Sequence, residues 1–150
     1  MNEIILIKLK LKTFTEQDAL DYCLLNNTNH LNIFQLWLSN NELTDISGIR
    51  LFKNLKELYL SNNKLTDISV LKDLNKLKTL NLSYNNKIKD ISNLKNLNNL
   101  QYLCIQYLKL ELDQIKYIQS LKNLEKLYCE NGFKDMKVIK QLNKNIKVIK

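Results

Sequence analysis

Residues 55–76 read LKELYLSNNKLTDISVLKDLNK, and the segments on either side repeat this pattern. The neighbours are IFQLWLSNNELTDISGIRLFKN at 33–54 and LKTLNLSYNNKIKDISNLKNLNN at 77–99. Successive repeats start 22, 22 and 23 residues apart, at Ile33, Leu55, Leu77 and Leu100. Self-similarity at a fixed period of this length is typical of chains that stack one small unit on the next.

The shared pattern is LxxLxLxxN, followed by a hydrophobic position and an Asp-Ile-Ser tripeptide. Alternation in the second repeat places Leu58 and Leu60 on one face of a strand and Tyr59 on the other. A single strand of this kind cannot bury its leucines alone, so the repeats must stack as parallel strands.

The turns of such a stack are formed without the usual turn residues, because the chain has two Gly and no Pro. Asn41, Asn63 and Asn85 fall in register, and a buried column of amides can satisfy the backbone groups of the turns. The Asp and Ser of the tripeptides are suited to cap a short helical turn on the return path. These pairs are Asp45 and Ser47, Asp67 and Ser69, and Asp90 and Ser92.

This pattern resembles the leucine-rich repeat family, in the 22-residue type found in bacterial internalins and in the regulatory subunit of protein phosphatase 1. The resemblance covers residues 33 to about 130. It implies an α/β repeat fold, a short curved horseshoe with parallel strands on the concave face and 3-10 or helical turns on the convex face. We expect a non-catalytic module that binds a partner protein through its concave sheet, either as a stoichiometric inhibitor such as an immunity protein or as an adaptor.

Two degenerate repeats follow the regular ones. Their strand positions are Leu100, Leu103 and Ile105, then Leu124, Leu127 and Cys129, and the Asn position is taken by Leu108 and Gly132. The segments that lead back from one strand to the next, here called return segments, are predicted to be more helical after Ile105. The apolar residues recur at three-residue spacing in both of them, at Ile115, Ile118 and Leu121 and at Met136, Ile139 and Leu142. Residues 142–150 are expected to form a truncated last strand.

The N-terminal 32 residues are predicted to cap the stack, as repeat proteins require. Leu6, Leu9 and Leu11 fit the strand positions, and Thr15 or Thr13 is suited to cap a short helix after them. We therefore expect one structural domain. Residues 1–32 would form a cap of strand plus helix, or a degenerate first repeat, and 33–150 the repeats with a degenerate end.

The strand residues that point away from the core form the candidate binding surface. The positions predicted to contact a partner are Gln35, Trp37, Glu57, Tyr59, Thr79, Asn81, Tyr102, Cys104, Lys126, Tyr128 and Glu130. Trp37, Tyr59, Tyr102 and Tyr128 are the expected anchors, because aromatic side chains dominate protein interfaces. The alternative is that these rings only stack on each other as neighbours across the strands.

The net charge of +8 raises a second possibility, a nucleic-acid-binding protein that uses its lysine-rich outer surface. Against it, the chain has 22 Lys but a single Arg, the residue suited to bidentate phosphate and guanine recognition. The fifteen outward strand positions carry a net charge of −1, although Lys8, Lys10 and Lys12 would add +3 at one end. We expect the partner to be another protein.

Catalysis and metal binding find little support in the sequence. His30 is the only histidine, no Gly-rich loop accompanies it, and Cys23, Cys104 and Cys129 lack the short spacings of a zinc site. Cys104 is predicted to be exposed on the binding face. We expect a non-enzymatic protein without cofactors.

The N-terminus, MNEIILIKLKLKTF, has neither the charge order of a signal peptide nor the length of a membrane span. The cysteines suggest no disulfide framework, which favours a reducing compartment. These observations predict a cytoplasmic monomer without a membrane partner.

Overall fold

The computed structural model describes the backbone of residues 3–6 and residues 11–149 in full. Seven strands form one parallel sheet in sequence order, so each strand pairs with the one from the next repeat. The strands are β1 (Glu3–Leu6), β2 (Ile33–Trp37), β3 (Glu57–Tyr59), β4 (Thr79–Asn81), β5 (Tyr102–Cys104), β6 (Lys126–Tyr128) and β7 (Lys147–Ile149).

The return segments lie behind the sheet and are mostly 3-10 helices. They comprise His30–Asn32, Ser47–Leu51, Ser69–Asp73, Ser92–Leu94, Leu112–Gln114 and Met136–Gln141. The described residues contain two α-helices, α1 (Glu16–Leu25) in the predicted N-terminal cap and α2 (Ile115–Gln119) in the first degenerate repeat. Of the two more helical return segments expected after Ile105, the first is confirmed by α2, and the second, Met136–Gln141, is a longer 3-10 helix.

The core is a continuous column of leucine and isoleucine between the sheet and the return segments. Leu58, Leu80 and Leu103 pair in register and are fully buried, so the inward strand positions stack repeat on repeat. Each buried leucine contributes about 1.5 to 3 kcal/mol relative to an exposed one.

The predicted asparagine column is confirmed. The Asn63 amide donates to the carbonyls of Leu38 and Leu60, both at 2.9 Å, and its Oδ1 accepts from the Leu43 amide at 3.0 Å. Asn85 repeats the arrangement one turn further and is fully buried. The side chains thus bond backbone groups of two adjacent turns.

The Asp-Ile-Ser units form tight turns that start the 3-10 helices. Oδ1 of Asp67 accepts from the Ser69 amide at 2.7 Å, and the Ser69 hydroxyl donates to Oδ2 at 3.0 Å. Asp90 and Ser92 make the same pair of bonds. The predicted capping is therefore wrong, because Ile68 and Ile91 occupy the N-cap positions and make no side-chain cap bond. The Asp lies one position earlier and orders the turn that leads into the helix.

The N-terminal strand lies in a different register from the one predicted. β1 ends at Leu6, which pairs with outward-facing Trp37, so Leu6 does not match an inward position. Leu9 lies outside the described residues. Leu11 follows the strand, and its amide donates to Oδ1 of Asn41, just as Leu43 donates to Asn63. A run rich in Leu and Ile fits the pattern in several registers, and the asparagine selects this one.

The helix of the N-terminal cap begins as predicted. Thr15 accepts from the Asp18 amide and the Asp18 carboxylate accepts from the Thr15 amide, which forms a capping box. The Gly48 amide donates to the Phe14 carbonyl at 2.8 Å. A Cβ at Gly48 would lie 2.1 Å from the Thr15 carbonyl oxygen, so the cap can approach the first repeat only because this residue is glycine.

Candidate binding surface

The outward strand positions form columns that run across the concave face of the sheet. The register aligns Gln35, Glu57, Thr79, Tyr102, Lys126 and Lys147 in one column. The next column contains Trp37, Tyr59, Asn81, Cys104, Tyr128 and Ile149. The two columns therefore contain ten of the eleven residues predicted to contact a partner. The eleventh, Glu130, follows β6 and accepts a hydrogen bond from the Tyr107 hydroxyl.

The N-terminal end of the face carries an aromatic pair. The rings of Trp37 and Tyr59 lie 4.8 Å apart and are tilted by 52°. The two rings thus contact each other in a tilted arrangement, yet 42% of Trp37 stays exposed. The Tyr59 hydroxyl donates to Glu57 at 2.9 Å, and Gln35 donates to the other oxygen of that carboxylate at 3.1 Å. Burial, helped by this bond, raises the pKa of Tyr59 to about 12 and keeps the phenol neutral.

The C-terminal end of the face combines aromatic and cationic groups. The ammonium of Lys126 lies 5.1 Å from the centre of the Tyr102 ring, a favourable cation–π contact. Tyr128 lies beside Cys104 in register and is half-buried. The two ends of the sheet thus display different chemistry to a partner.

Cys104 is half-buried rather than exposed, so that prediction is wrong. In the register of the sheet, Cys104 is flanked by Asn81 on β4 and by Tyr128 on β6. Burial raises the pKa of its thiol to about 11, which suppresses the reactive thiolate at neutral pH.

The charge of the concave face is close to balanced. Lys147, in β7, adds a positive charge to the fifteen positions counted from the sequence, so Glu57 and Glu130 are matched by Lys126 and Lys147. Of the three N-terminal lysines expected at the edge, Lys8 and Lys10 lie outside the described residues. Lys12 follows β1 and is not part of that strand.

A further column, which the strand pattern did not predict, borders the concave face. It consists of Asn40, Asn62, Tyr84, Tyr107 and Asn131, all with φ between 49° and 61°. Continued alternation would turn these side chains into the core, but the left-handed backbone directs them outward. Tyr84 and Tyr107 stack with ring centres 4.7 Å apart and an angle of 15°. Aligning the repeats would have revealed them, because they stand where Asn40 and Asn62 stand.

An open groove of about 430 Å³ runs along this border. Its lining consists of Asn40, Ser61, Asn62, Asn81, Ser83, Tyr84 and Gln106. None of these side chains is charged at neutral pH. The groove therefore offers amide and hydroxyl hydrogen-bonding groups beside one aromatic ring.

His30 lies at the N-terminal end, away from the sheet columns, and lines a depression of about 400 Å³ with Cys23 and Leu24. The residues around that depression carry no carboxylate that could orient the imidazole. Across residues 11–149 and the β1 backbone, no cluster of His, Cys, Asp or Glu could hold a metal ion. In the same part of the chain, no helix is long and apolar enough to cross a membrane.

The repeat geometry agrees with the comparison with known families. A family profile described as Leucine Rich repeats (2 copies) matches residues 32–73 and 53–96. Residues 32–96 belong to the leucine-rich repeat family. The parallel sheet and the 3-10 return turns are those of a leucine-rich repeat solenoid, a fold that commonly serves protein–protein interaction.

Solved structures place this solenoid near the internalins. An internalin from Listeria monocytogenes is 31% identical with a TM-score of 0.70, over 79% of this chain and 34% of that one. Internalin C2 of the same organism is 29% identical with a TM-score of 0.67, over 79% of this chain and 52% of that one. A leucine-rich repeat protein of Leptospira interrogans shares the fold at 24% identity, with a TM-score of 0.69 over 91% and 34%.

The chain thus spans about a third to a half of these structures. No curated protein is significantly similar to the sequence.

Proposed function

We propose that this leucine-rich repeat protein acts by binding another protein on its concave sheet, without catalysis. The observation that carries the proposal is the aromatic pair at the N-terminal end of the face, where Trp37 contacts Tyr59 and still exposes 42% of its surface. Exposed aromatic rings held in a fixed orientation lose little entropy on binding and are typical interface anchors. Tyr128 lies further along the same column and Tyr102 lies in the column beside it, both toward the C-terminal end.

The size of the face supports a contact that extends beyond the strands. Seven strands at roughly 4.8 Å span about 29 Å, and three outward positions per strand cover about 14 Å, which gives roughly 400 Å². A standard interface buries about 800 Å² per partner. The bordering column with Tyr84 and Tyr107 would therefore belong to the contact as well.

The proposal is tested by light-activated crosslinking from the concave face. Tyr59 is replaced by a photoreactive phenylalanine, and the matched control carries the same group at Lys72, in the exposed 3-10 return segment Ser69–Asp73. We expect one protein to be crosslinked in native cells from position 59 and not from 72. Equal crosslinking from both positions, or from position 72 alone, would overturn the assignment of this face.

The mode of action we propose is stoichiometric inhibition, as by an immunity protein that blocks a toxin, with this chain acting as a cytoplasmic monomer. The spacing of the cysteines in the sequence suggests no disulfide framework, which supports a reducing compartment. Titration of the crosslinked partner's activity should then reach full inhibition at one equivalent of this chain. Undiminished activity in the saturated complex would favour an adaptor.

A further inference from the structure

The bordering column differs from the strands in its backbone conformation. Every residue in it has a left-handed backbone, with φ of 60° at Asn40, 55° at Asn62 and 49° at Asn131. Asparagine is among the few residues that adopt this conformation readily. Three of the five positions therefore carry the residue that the turn itself favours.

Tyr84 and Tyr107 occupy the other two positions, at φ of 61° each. A bulky aromatic residue is strained in this conformation, and such strain is often found where a side chain serves binding. Tyr84 is 51% exposed, so its ring adds little to the core. The asparagines in the same column show that the turn forms without a ring.

Tyr107 holds the exposed ring of Tyr84 in a fixed orientation. Tyr107 stacks against Tyr84, and its hydroxyl donates to Glu130 at 2.8 Å. That hydrogen bond raises the pKa of Tyr107 above its ordinary value, so the phenol that supports Tyr84 stays neutral. Tyr84, backed by this ring, lines the groove.

The groove excludes charged occupants by its composition. Its hydrogen-bonding groups are the amides of Asn and Gln and the hydroxyls of Ser, which are both donors and acceptors. A charge placed there would lose solvation without gaining an opposite charge, whereas backbone amides would find partners. This chemistry matches a neutral stretch of polypeptide.

We propose that this groove binds an uncharged peptide segment of the partner protein, with an aromatic side chain stacked on Tyr84 and backbone groups bonded to Asn62, Asn81 and Gln106. The proposal rests on the proposed function, since it assigns the partner's chemistry at one edge of the same face. A neutral saccharide would also stack on Tyr84, and it is made an alternative outcome of the test.

The first measurement asks whether the ring serves binding or folding. Tyr84→Asn restores the residue of the other repeats, so we expect a melting temperature that is unchanged or raised by up to about 4 °C. Tyr84→Phe, which keeps both ring and strain, should melt like the parent chain. If Tyr84→Asn melts more than about 2 °C lower, the ring is required by the fold and the proposal is overturned.

The second measurement follows backbone amide shifts by NMR during titration with capped Gly-Ser-Xaa-Ser-Gly peptides, where Xaa is Tyr, Lys or Asp, and with cellobiose. We expect the Tyr peptide to shift the amides of Asn62, Tyr84 and Gln106 saturably, and the charged peptides to bind at least about 5-fold more weakly. Tyr84→Asn should abolish the shifts and Tyr84→Phe retain them. Absence of shifts, tighter binding of a charged peptide, or binding of cellobiose alone would overturn the proposal.

The same titration separates this proposal from the general one. A chain carrying Tyr59→Ala and Tyr128→Ala should bind the Tyr peptide as the parent does, because neither residue lines the groove. Retained peptide binding together with failed crosslinking from position 59 would reject the proposed function and keep the groove. Crosslinking without peptide binding would reject only the groove.

Discussion

The regular repeats at 33–99 and the degenerate ones at 100–149 have the same strands but different turns. In the first region, Oδ1 of Asn63 accepts the Leu43 amide at 3.0 Å. In the second, the backbone carbonyl of Gly132 accepts the equivalent Leu110 amide at 2.8 Å. The comparison teaches that what the fold requires is an acceptor at this point, which either an amide side chain or a closely approaching backbone provides.

The largest loss of stability is expected for the inward leucines, and it should be equal in both regions because their strands are equivalent. Leu58 in β3 and Leu127 in β6 are both fully buried at the same column position. Leu58→Ala and Leu127→Ala should each lower the free energy of unfolding by about 2 to 5 kcal/mol, measured by denaturant titration. A near-neutral effect at either site would show that the inward register is misassigned there.

The next loss of stability concerns the buried asparagine amide, which only the regular repeats contain. Asn63→Ala removes both carbonyl contacts and the acceptor for Leu43, and we expect a loss of about 3 kcal/mol or more, since each buried orphan costs about 1 to 3. Asn86→Ala, at an exposed turn position, is the control and should stay within about 0.5 kcal/mol. Equal losses in the two variants would contradict a supporting role for the buried amide.

A smaller loss is expected where the degenerate region relies on backbone approach. A Cβ at Gly132 would lie 2.9 Å from the Ile105 carbonyl oxygen and 3.0 Å from that of Cys129. Gly132→Ala should therefore cost about 1 to 3 kcal/mol through forced displacement, again measured in denaturant. An unchanged midpoint would mean that this turn has room to relax.

A buried glutamine joins the two regions. Oε1 of Gln114, in the degenerate part, accepts from the Ile91 amide of the regular part at 3.0 Å. Gln114→Ala leaves that amide without its acceptor, so we expect a loss of about 1 to 2 kcal/mol and faster hydrogen exchange at Ile91. Gln119→Ala, whose side chain bonds a carbonyl at the surface, is the matched control. Protection at Ile91 that survives Gln114→Ala would refute the link.

The smallest effect concerns the thiol in β5, where the degenerate region begins. A pKa of about 11 leaves less thiolate at Cys104 than an ordinary thiol has at pH 8, so alkylation should be slower in the native protein. Allowing for the greater nucleophilicity of a more basic thiolate, the difference should be about 10-fold against the unfolded chain. The rate should rise with pH up to about 11, followed by mass spectrometry of the Cys104 peptide. Native alkylation as fast as unfolded would contradict the burial.

Most of the fold follows from the sequence because the same residue pattern recurs in several repeats and can be aligned. The alternation at Leu58, Tyr59 and Leu60 gives the two faces, and the aligned Asn63 and Asn85 give the turns. β1 was misplaced because it occurs once and has no aligned copy to fix its register. Repetition supplies internal checks that a single terminal strand lacks.

The candidate site was less predictable because a change of backbone handedness interrupts the alternation. The alternation within a strand does not predict the exposure of Tyr84, because it gives no signal for a left-handed residue that is not glycine. The accessibility of Cys104 depends on the side chains of the neighbouring strands, which the order of residues along one strand does not specify.

Binding through the concave face is tested most directly by removing its anchors while keeping its fold. Once the crosslinked partner is in hand, its affinity is measured by calorimetry for the parent chain and for the Tyr59→Ala, Tyr128→Ala double variant. We predict an unchanged fold, checked by circular dichroism, and affinity weakened by at least about 2 kcal/mol, or roughly 30-fold. An unchanged affinity in a folded double variant would contradict the account.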